Sequence, residues 1–428
     1  MTLGWFSIVR LGAVQMALGA IVVLTTSTLN RLMVVELALP AILPGLLVGL
    51  HYGIQITRPS WGFLSDTGGN RTRWIIGGMA VLALGALGAT MGVALFESSF
   101  ALALLISVLA YALIGVGVGA SGTSLLALLA TATAPERRAA AATITWLMMI
   151  AGIALTAAGV GATLDPYSPE RLMGIVATVC LGAIALSILA VAGVERGVQL
   201  PFREPDKTRF SDGLREVWDE PDARNFTIFV FLSMTAYFMQ ELILEPYAGL
   251  VFGFTPGDST MLSAAQNGGV FVGMLLVGIA ATGLRIGSLR SWVIAGCLGS
   301  GASLSAIMLA GLLSQGPALM PAVVSLGIFN GMFAVAAIGT MMSLAGEGRG
   351  SREGTRMGLW GAAQAIAAGF GGLLGAAAVD LMRVTMADDF AAFGAVFLAE
   401  ALLFVVAAVL AASVIHRQPA GGAMVAGE

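Results

Sequence analysis

Apolar residues run along this chain in blocks of roughly 20, the length an α-helix needs to cross a hydrocarbon core of about 30 Å. Twelve such blocks separate, and they predict helices near 11–33, 39–57, 74–96, 100–129, 140–164, 172–194, 225–247, 260–282, 292–313, 318–344, 357–379 and 390–415. The first, read from Leu11 to Leu29, lacks a small-residue cleavage site and is followed by many more. It is expected as a retained helix rather than a signal peptide. One segment departs from the pattern. Glu195 to Arg224 is long and charged, and within it Phe210, Leu214, Val217 and Trp218 fall at i, i+4, i+7 and i+8. That spacing predicts a short amphipathic helix on the membrane surface, ended by Pro221.

The charges between the blocks alternate. One side of the twelve-span layout holds Arg10, Arg58, Arg71, Arg73, Arg137, Arg138, the basic residues from Arg196 to Arg224, Arg285, Arg290, Arg349, Arg352, Arg356 and Arg417. The other side holds only Arg31, Arg171 and Arg383 of the 21 Lys and Arg residues. The positive-inside rule makes the first side cytoplasmic. The chain is therefore expected as a multi-pass protein of the inner (cytoplasmic or intracytoplasmic) membrane with both termini in the cytoplasm. The seven tryptophans fall on that same side. They read as an interfacial aromatic belt, and their one-sidedness also suits docking of partners or lipid-like ligands from the cytoplasmic leaflet.

The two halves resemble one another. Trp146 and Trp360, Gly117 and Gly331, and Arg138 and Arg352 are each separated by half the length of the 428-residue chain. Gly62 and Gly278 each precede a short basic loop. A six-plus-six parallel repeat is the layout of major facilitator proteins. The expected fold is thus an all-α membrane protein of two six-helix bundles, 1–194 and 225–428, joined by a cytoplasmic linker at 195–224. The loop from Gly62 to Arg73 resembles the signature loop of that superfamily: a Gly, an Asp four residues on, then Gly and basic residues. Gly62, Asp66, Arg71 and Arg73 fill those positions, while Thr67 stands where a basic residue is usual. In the second half the acid position holds Thr282.

Composition agrees with a membrane chain. Hydrophobic residues make up 58% and charged residues 11%, with a mean hydropathy of +0.92, whereas a soluble domain carries about 25% charged residues. A net charge of −3 says little about partners, and nucleic acid is not expected among them. Cys180 and Cys297 sit inside apolar runs, with neither metal spacing nor a disulfide framework. The 57 glycines point to closely packed helices.

Charged groups inside a membrane are costly unless they work or are paired. Here the first block has no charge from Leu11 to Leu29, only Gln15, the fourth has none from Phe100 to Ala134, and blocks 5, 8, 10 and 11 are uncharged in their middles. Such an interior suits an apolar cargo, or lateral packing on other membrane proteins, better than sugars, ions or amino acids. The exceptions are the candidates. Asn30, Arg31 and Glu36 cluster at the outer end of the first block; Gln240, Glu241 and Glu245 lie toward the outer end of the seventh. Arg31 and Glu36 also read as a pair near the interface, and Glu245 as a helix-end acid in outside water. Gln266, Asn267, Asn330, Gln364 and Glu400 follow; Glu400 is expected to be protonated or to face the bundle. His51 is the single histidine inside a block. Its neutral ring can ligate the magnesium of a chlorophyll, or hydrogen-bond a backbone carbonyl or hydroxyl. No nucleophile–base pair, phosphate-cradling loop or metal cluster is evident, so enzymatic activity is not expected.

Four segments carry a resemblance to one family: Thr28 to Leu37, Leu232 to Tyr237, Gln240 to Gly249 with its continuation to Ser259-Thr260, and Arg356 to Ile366. The chain resembles the PucC/LhaA family, the bacteriochlorophyll delivery branch of the major facilitator superfamily. The resemblance implies a factor that assembles light-harvesting complexes by delivering or protecting (bacterio)chlorophyll. Its implied partners are the pigment, antenna polypeptides, chlorophyll synthase, the translocon and membrane lipid. It implies no intrinsic metal beyond the pigment's magnesium. The His51 to Arg58 stretch departs from the family, which leaves the subtype open. In this reading His51, Glu241 or Glu245 contacts the magnesium, and Phe210, Leu214 and Trp218 face cytoplasmic partners. Two further readings stand beside it: an alternating-access transporter of a small amphipathic solute, and a membrane scaffold without ligand.

Overall fold

The computed structural model describes residues 3–58, 61, 70–134, 138–195, 215, 218–284, 286–313, 316–347, 353–386 and 388–415. Helices occupy all twelve predicted blocks. They are α1 (Trp5–Glu36), α2 (Ile42–Thr57), α3 (Arg71–Leu95), α4 (Phe100–Ala132), α5 (Arg138–Thr163), α6 (Pro169–Val191), α7 (Pro221–Leu242, then Leu244–Phe252), α8 (Pro256–Val277, then Gly278–Gly283), α9 (Leu289–Leu312), α10 (Gly316–Glu347), α11 (Glu353–Thr385) and α12 (Asp389–Val414). Among the described residues, ten helices are long and apolar enough to cross a membrane on their own. The two segments of α7, bent by 40°, make an eleventh if taken as one span, and α2 is shorter.

The helix ends follow local chemistry. Ser168, Ser288 and Asp388 sit at N-caps and accept from Arg171, Ser291 and Ala391 backbone N–H groups. Pro221 occupies the first turn of α7, where its missing N–H costs nothing. It therefore begins α7 rather than merely ending a linker helix. Phe210, Leu214 and Val217, the predicted amphipathic face, lie outside the described residues, as do Gly62 and Asp66. Trp218 is described and exposed.

The chain forms two compact units that do not follow chain order: Met1–Phe202 with Glu241–Asn267, and Arg203–Gln240 with Gly268–Glu428. In the first unit, Leu11, Val14, Leu18 and Ile21 of α1 join a continuous apolar core with Met79, Leu82 and Ala86 of α3 and Ile114 and Leu125 of α4. The α3 and α4 backbones nearly touch; a Cβ at Gly117 would stand 2.5 Å from Leu82 N. Large apolar side chains such as Leu84, Leu105, Leu181 and Leu189 point outward, as lipid-facing surfaces require.

The second unit carries an aromatic core. Trp360 meets Phe226 edge-on at 5.1 Å, and Phe229, Phe333 and Phe404 continue the stack. Trp360 is fully buried and its Nε1 donates to Ala223 O at 3.4 Å. It is therefore a core residue and not part of an interfacial belt: full burial and edge-on packing on Phe226 outweigh the indole's interfacial preference. Asn330 and Glu400 are also fully buried, and Asn330 Oδ1 accepts from Ser300 Oγ at 2.7 Å. Glu400 faces the bundle, one of the two expectations held for it.

Candidate functional site

In the first unit a polar seam runs through the C-terminal part of α1, the second segment of α7 and the start of α8. Its origin lies in α1. Two π-helical stretches, Leu24–Thr28 and Leu32–Glu36, flank one short α-turn, Leu29–Arg31. Thr25 and Thr26 turn their hydroxyls back onto Val22 O at 2.8 and 3.3 Å, which competes with the regular helical ladder. Tyr111 of α4 donates to Thr25 O at 3.0 Å. Wide turns of this kind re-aim side chains and collect at functional sites.

The seam is in register. Ser27 and Arg31 stand one turn apart on α1, and Ser263 and Ser259 stand one turn apart in the opposite order on α8. Ser27 Oγ lies 2.8 Å from Ser263 Oγ, and Arg31 Nε donates to Ser259 Oγ at 2.9 Å. Both serine hydroxyls at the inner level also meet Glu245 Oε1 of α7. Glu245 is buried, and its Oε2 has no hydrogen-bond partner. This removes the expectation that Glu245 sits in outside water. Glu241, four positions earlier, is partly buried and interacts with the Thr26 hydroxyl. Asn30 donates to Leu242 O at 2.8 Å.

Arg31 is only 2% exposed, yet each of its three kinds of nitrogen has an acceptor. Besides Ser259 it donates to Glu36 Oε1 at 2.5 Å and to Phe254 O at 2.7 Å. Glu36 itself is 39% exposed, so the expected pair joins a buried cation to a wet carboxylate. Phe254 O is aimed by the α7 C-terminus. Gly253 takes φ +69°, and the N–H groups of Gly253 and Phe254 return to Gly249 O and Ala248 O at 3.1 and 3.2 Å. A left-handed residue is needed there, and glycine adopts it without Cβ strain. The start of α8 is fixed by Asp165, which accepts from Thr255 Oγ and, at 3.1 Å, from Gly257 N. A Cβ on Gly257 would come within 2.7 Å of Gly161 O. Outside the spans, partial burial first, and then the carboxylates Glu36, Glu97 and Glu170, push the Tyr167 phenol above its usual range. The rim beyond Arg31 is therefore acidic.

The structure does not bring His51 to this seam. His51 is buried in α2, edge-on to Tyr52 at 4.7 Å, with Nε2 2.9 Å from Gln55 Nε2. Gln55 Oε1 accepts from Arg58, so the amide nitrogen is the group turned to His51. Nε2 must then accept, and the ring hydrogen sits on Nδ1. In this arrangement the ring offers no free lone pair to magnesium. Its partner is a side-chain amide and not the carbonyl or hydroxyl expected.

The other predicted residues are dispersed. Gln240 and Gln364 belong to the second unit; Gln240 is buried in a 3₁₀ turn, and Gln364 Nε2 has only Met234 Sδ, at 3.8 Å. Arg71 is buried at the start of α3 and donates from Nη1 to Ala127 O at 2.9 Å. The Arg71 and Thr72 N–H groups bind the Glu195 carboxylate at 2.9 and 3.0 Å, an anion on a helix N-terminus. Arg73 N–H donates to Asn70 Oδ1 at 3.2 Å. Sequence reading missed Ser27, Ser263, Asp165 and Glu195 as partners. The signal was present for α8: Ser259, Ser263 and Asn267 recur every fourth residue, a polar stripe on one helix face.

A protein named "Bacteriochlorophyll synthase 44.5 kDa chain" from Rhodobacter capsulatus is 67% identical over 420 residues, covering 98% of both chains. "Protein PucC" from Cereibacter sphaeroides is 28% identical, over 85% of this chain and 81% of its own length. A crystal structure of a bacterial homologue of the human lysosomal transporter Spinster, inward-facing and unoccupied, shares 15% identity. It superposes with a TM-score of 0.68 over 96% of this chain and 98% of its own. The fold is therefore that of the major facilitator transporters, in a multi-pass membrane protein. Residues 28–419 match the family described as PUCC protein, and the chain belongs to that family.

Proposed function

We propose that the protein is a non-enzymatic membrane factor that binds or delivers (bacterio)chlorophyll while light-harvesting complexes assemble. The observation that carries this reading is the 67% identity, across the full length, to a relative whose name attaches it to bacteriochlorophyll synthesis. The word "synthase" in that name is read as association with the pathway, because a transporter fold with apolar helix middles offers a lipid-soluble guest a path and offers chemistry little. The seam supports this. Its charges are gathered at one end of α1, where Asn30, Arg31 and Glu245 are each held by a neighbour. Glu245, with Oε2 unpartnered, is the candidate oxygen contact for the pigment's magnesium, and Glu241 is the second. Antenna polypeptides, chlorophyll synthase and the translocon are the proposed partners. The proposed location is the inner membrane with both termini cytoplasmic.

A deletion strain tests the proposal. Loss of antenna absorption bands with free pigment still synthesised, and restoration by the wild-type chain, is expected. Unchanged antenna bands in the deletion would defeat it.

The seam itself favours a second reading, an alternating-access transporter of a small amphipathic solute. Groups tying α1 to α7 and α8 at one end are suited to closing and opening there. Proton-coupled uptake in proteoliposomes, lost in Asp66→Asn, would support that reading.

A further inference from the structure

We propose that His51, Gln55 and Arg58 form a binding site for an anionic headgroup, a phosphate or carboxylate, at the Trp61 end of α2. This stands independently of the cargo proposed above. The three residues fall at i, i+4 and i+7, one stripe of the helix. Gln55 bridges the other two through Oε1 to Arg58 Nη2 and Nε2 to His51 Nε2. That bridge fixes the hydrogen on His51 Nδ1. Nδ1 is buried without a partner, and so is Arg58 Nε. Among the described residues Arg58 has no carboxylate partner; its hydrogen-bond partner is the neutral Gln55 amide. The stripe thus carries two unpartnered N–H groups and one full positive charge, with no acceptor for them among the described residues.

Guanidinium is the side chain best matched to phosphate and carboxylate oxygens. An imidazole N–H beside it adds a donor without adding charge. The level in the membrane suits a headgroup. Trp61 donates to Thr57 Oγ1 at 3.0 Å and its ring lies 5.9 Å from that of Trp74, an aromatic pair of the kind that marks a membrane interface. The neighbouring α4 brings glycine to the stripe. A Cβ on Gly119 would be 3.3 Å from Trp61 and 3.9 Å from the Arg58 side chain, and one on Gly115 would be 2.7 Å from His51 O. No α4 side chain at these positions competes for the donors.

The test uses the full-length protein in neutral detergent. Native mass spectrometry with phosphatidylglycerol and phosphatidylcholine at equal concentration should show about tenfold preferential retention of the anionic lipid. Arg58→Gln should reduce that preference at least about fivefold. Gln55→Glu, whose carboxylate would answer the Arg58 charge from within, should do the same while remaining as stable as wild type. Competition by inorganic phosphate would identify the free anion as a ligand too; failure to compete would assign the site to the lipid. The chain has two histidines, so His416→Gln leaves His51 alone for ¹⁵N spectroscopy. A neutral ring protonated at Nδ1, shifted by phosphatidylglycerol and not by phosphatidylcholine, is expected. Equal retention of both lipids, unaltered preference in Gln55→Glu, or a ring protonated at Nε2 would overturn the proposal.

Discussion

Replacing Arg31 by Met separates the two ways in which this buried cation could hold the seam. The variant keeps an unbranched apolar stem and removes three hydrogen bonds, to Ser259 Oγ, Phe254 O and Glu36 Oε1. Bonds from a charged donor contribute about 1.5–3 kcal/mol each when buried. The Glu36 bond is discounted to about 0–1 kcal/mol, because that carboxylate is 39% exposed and rehydrates. Ser259 Oγ is not orphaned, since it also donates to Thr255 O at 2.9 Å. Phe254 is partly exposed, so its carbonyl can find water. Relief from desolvating the guanidinium offsets part of the loss. The net expectation is a cost of about 2–3 kcal/mol for Arg31→Met, against about 1 kcal/mol for Glu36→Gln. Reversible unfolding in mixed micelles measures both, and the double variant closes the cycle. A cost for Glu36→Gln equal to that of Arg31→Met would refute the argument, because the ion pair would then hold the cation and the bonds to α7 and α8 would not. A cost below about 0.5 kcal/mol for Arg31→Met would refute it as well.

Three further perturbations probe the same unit. Glu245→Gln keeps an acceptor for Ser27 and Ser263 and should cost less than about 1 kcal/mol in the same unfolding assay, while Glu245→Ala should cost more. Gly257→Ala drives a methyl into Gly161 O and the Asp165 carboxylate and should destabilise by about 1–3 kcal/mol, read as a lowered unfolding midpoint. Glu195→Ala leaves the Arg71 and Thr72 N–H groups without their carboxylate; a loss of about 0.5–2 kcal/mol is expected, with faster amide exchange confined to the first turn of α3.

The helices were legible because bilayer thickness imposes one length on every span, and that length survives any packing arrangement. The boundaries were less so. The sequence predicts 225–247 for α7, but the helix starts at Pro221, breaks at Ile243 and continues to Phe252. The cue was Pro246, which stands in the first turn of the second segment, where proline is tolerated. The pairing of Arg31 with Glu36 could be read from proximity along α1. The serines that complete the site could not be paired with it, because Ser259 and Ser263 are more than 220 positions away and only packing sets their register. Trp360 shows the limit of position alone: hydropathy puts it at an interface, and Phe226, the ring it packs on, comes from α7, far away along the chain. Glu245 shows the same limit for charge, since its depth depends on the break in α7.

The most direct measurement is the visible absorption spectrum of the protein purified in mild detergent from pigment-synthesising cells, taken beside Glu245→Gln prepared identically. The account predicts bound (bacterio)chlorophyll in the wild type and a reduced or spectrally shifted pigment complement in the variant. A colourless, well-folded preparation that captures no antenna polypeptide would contradict it.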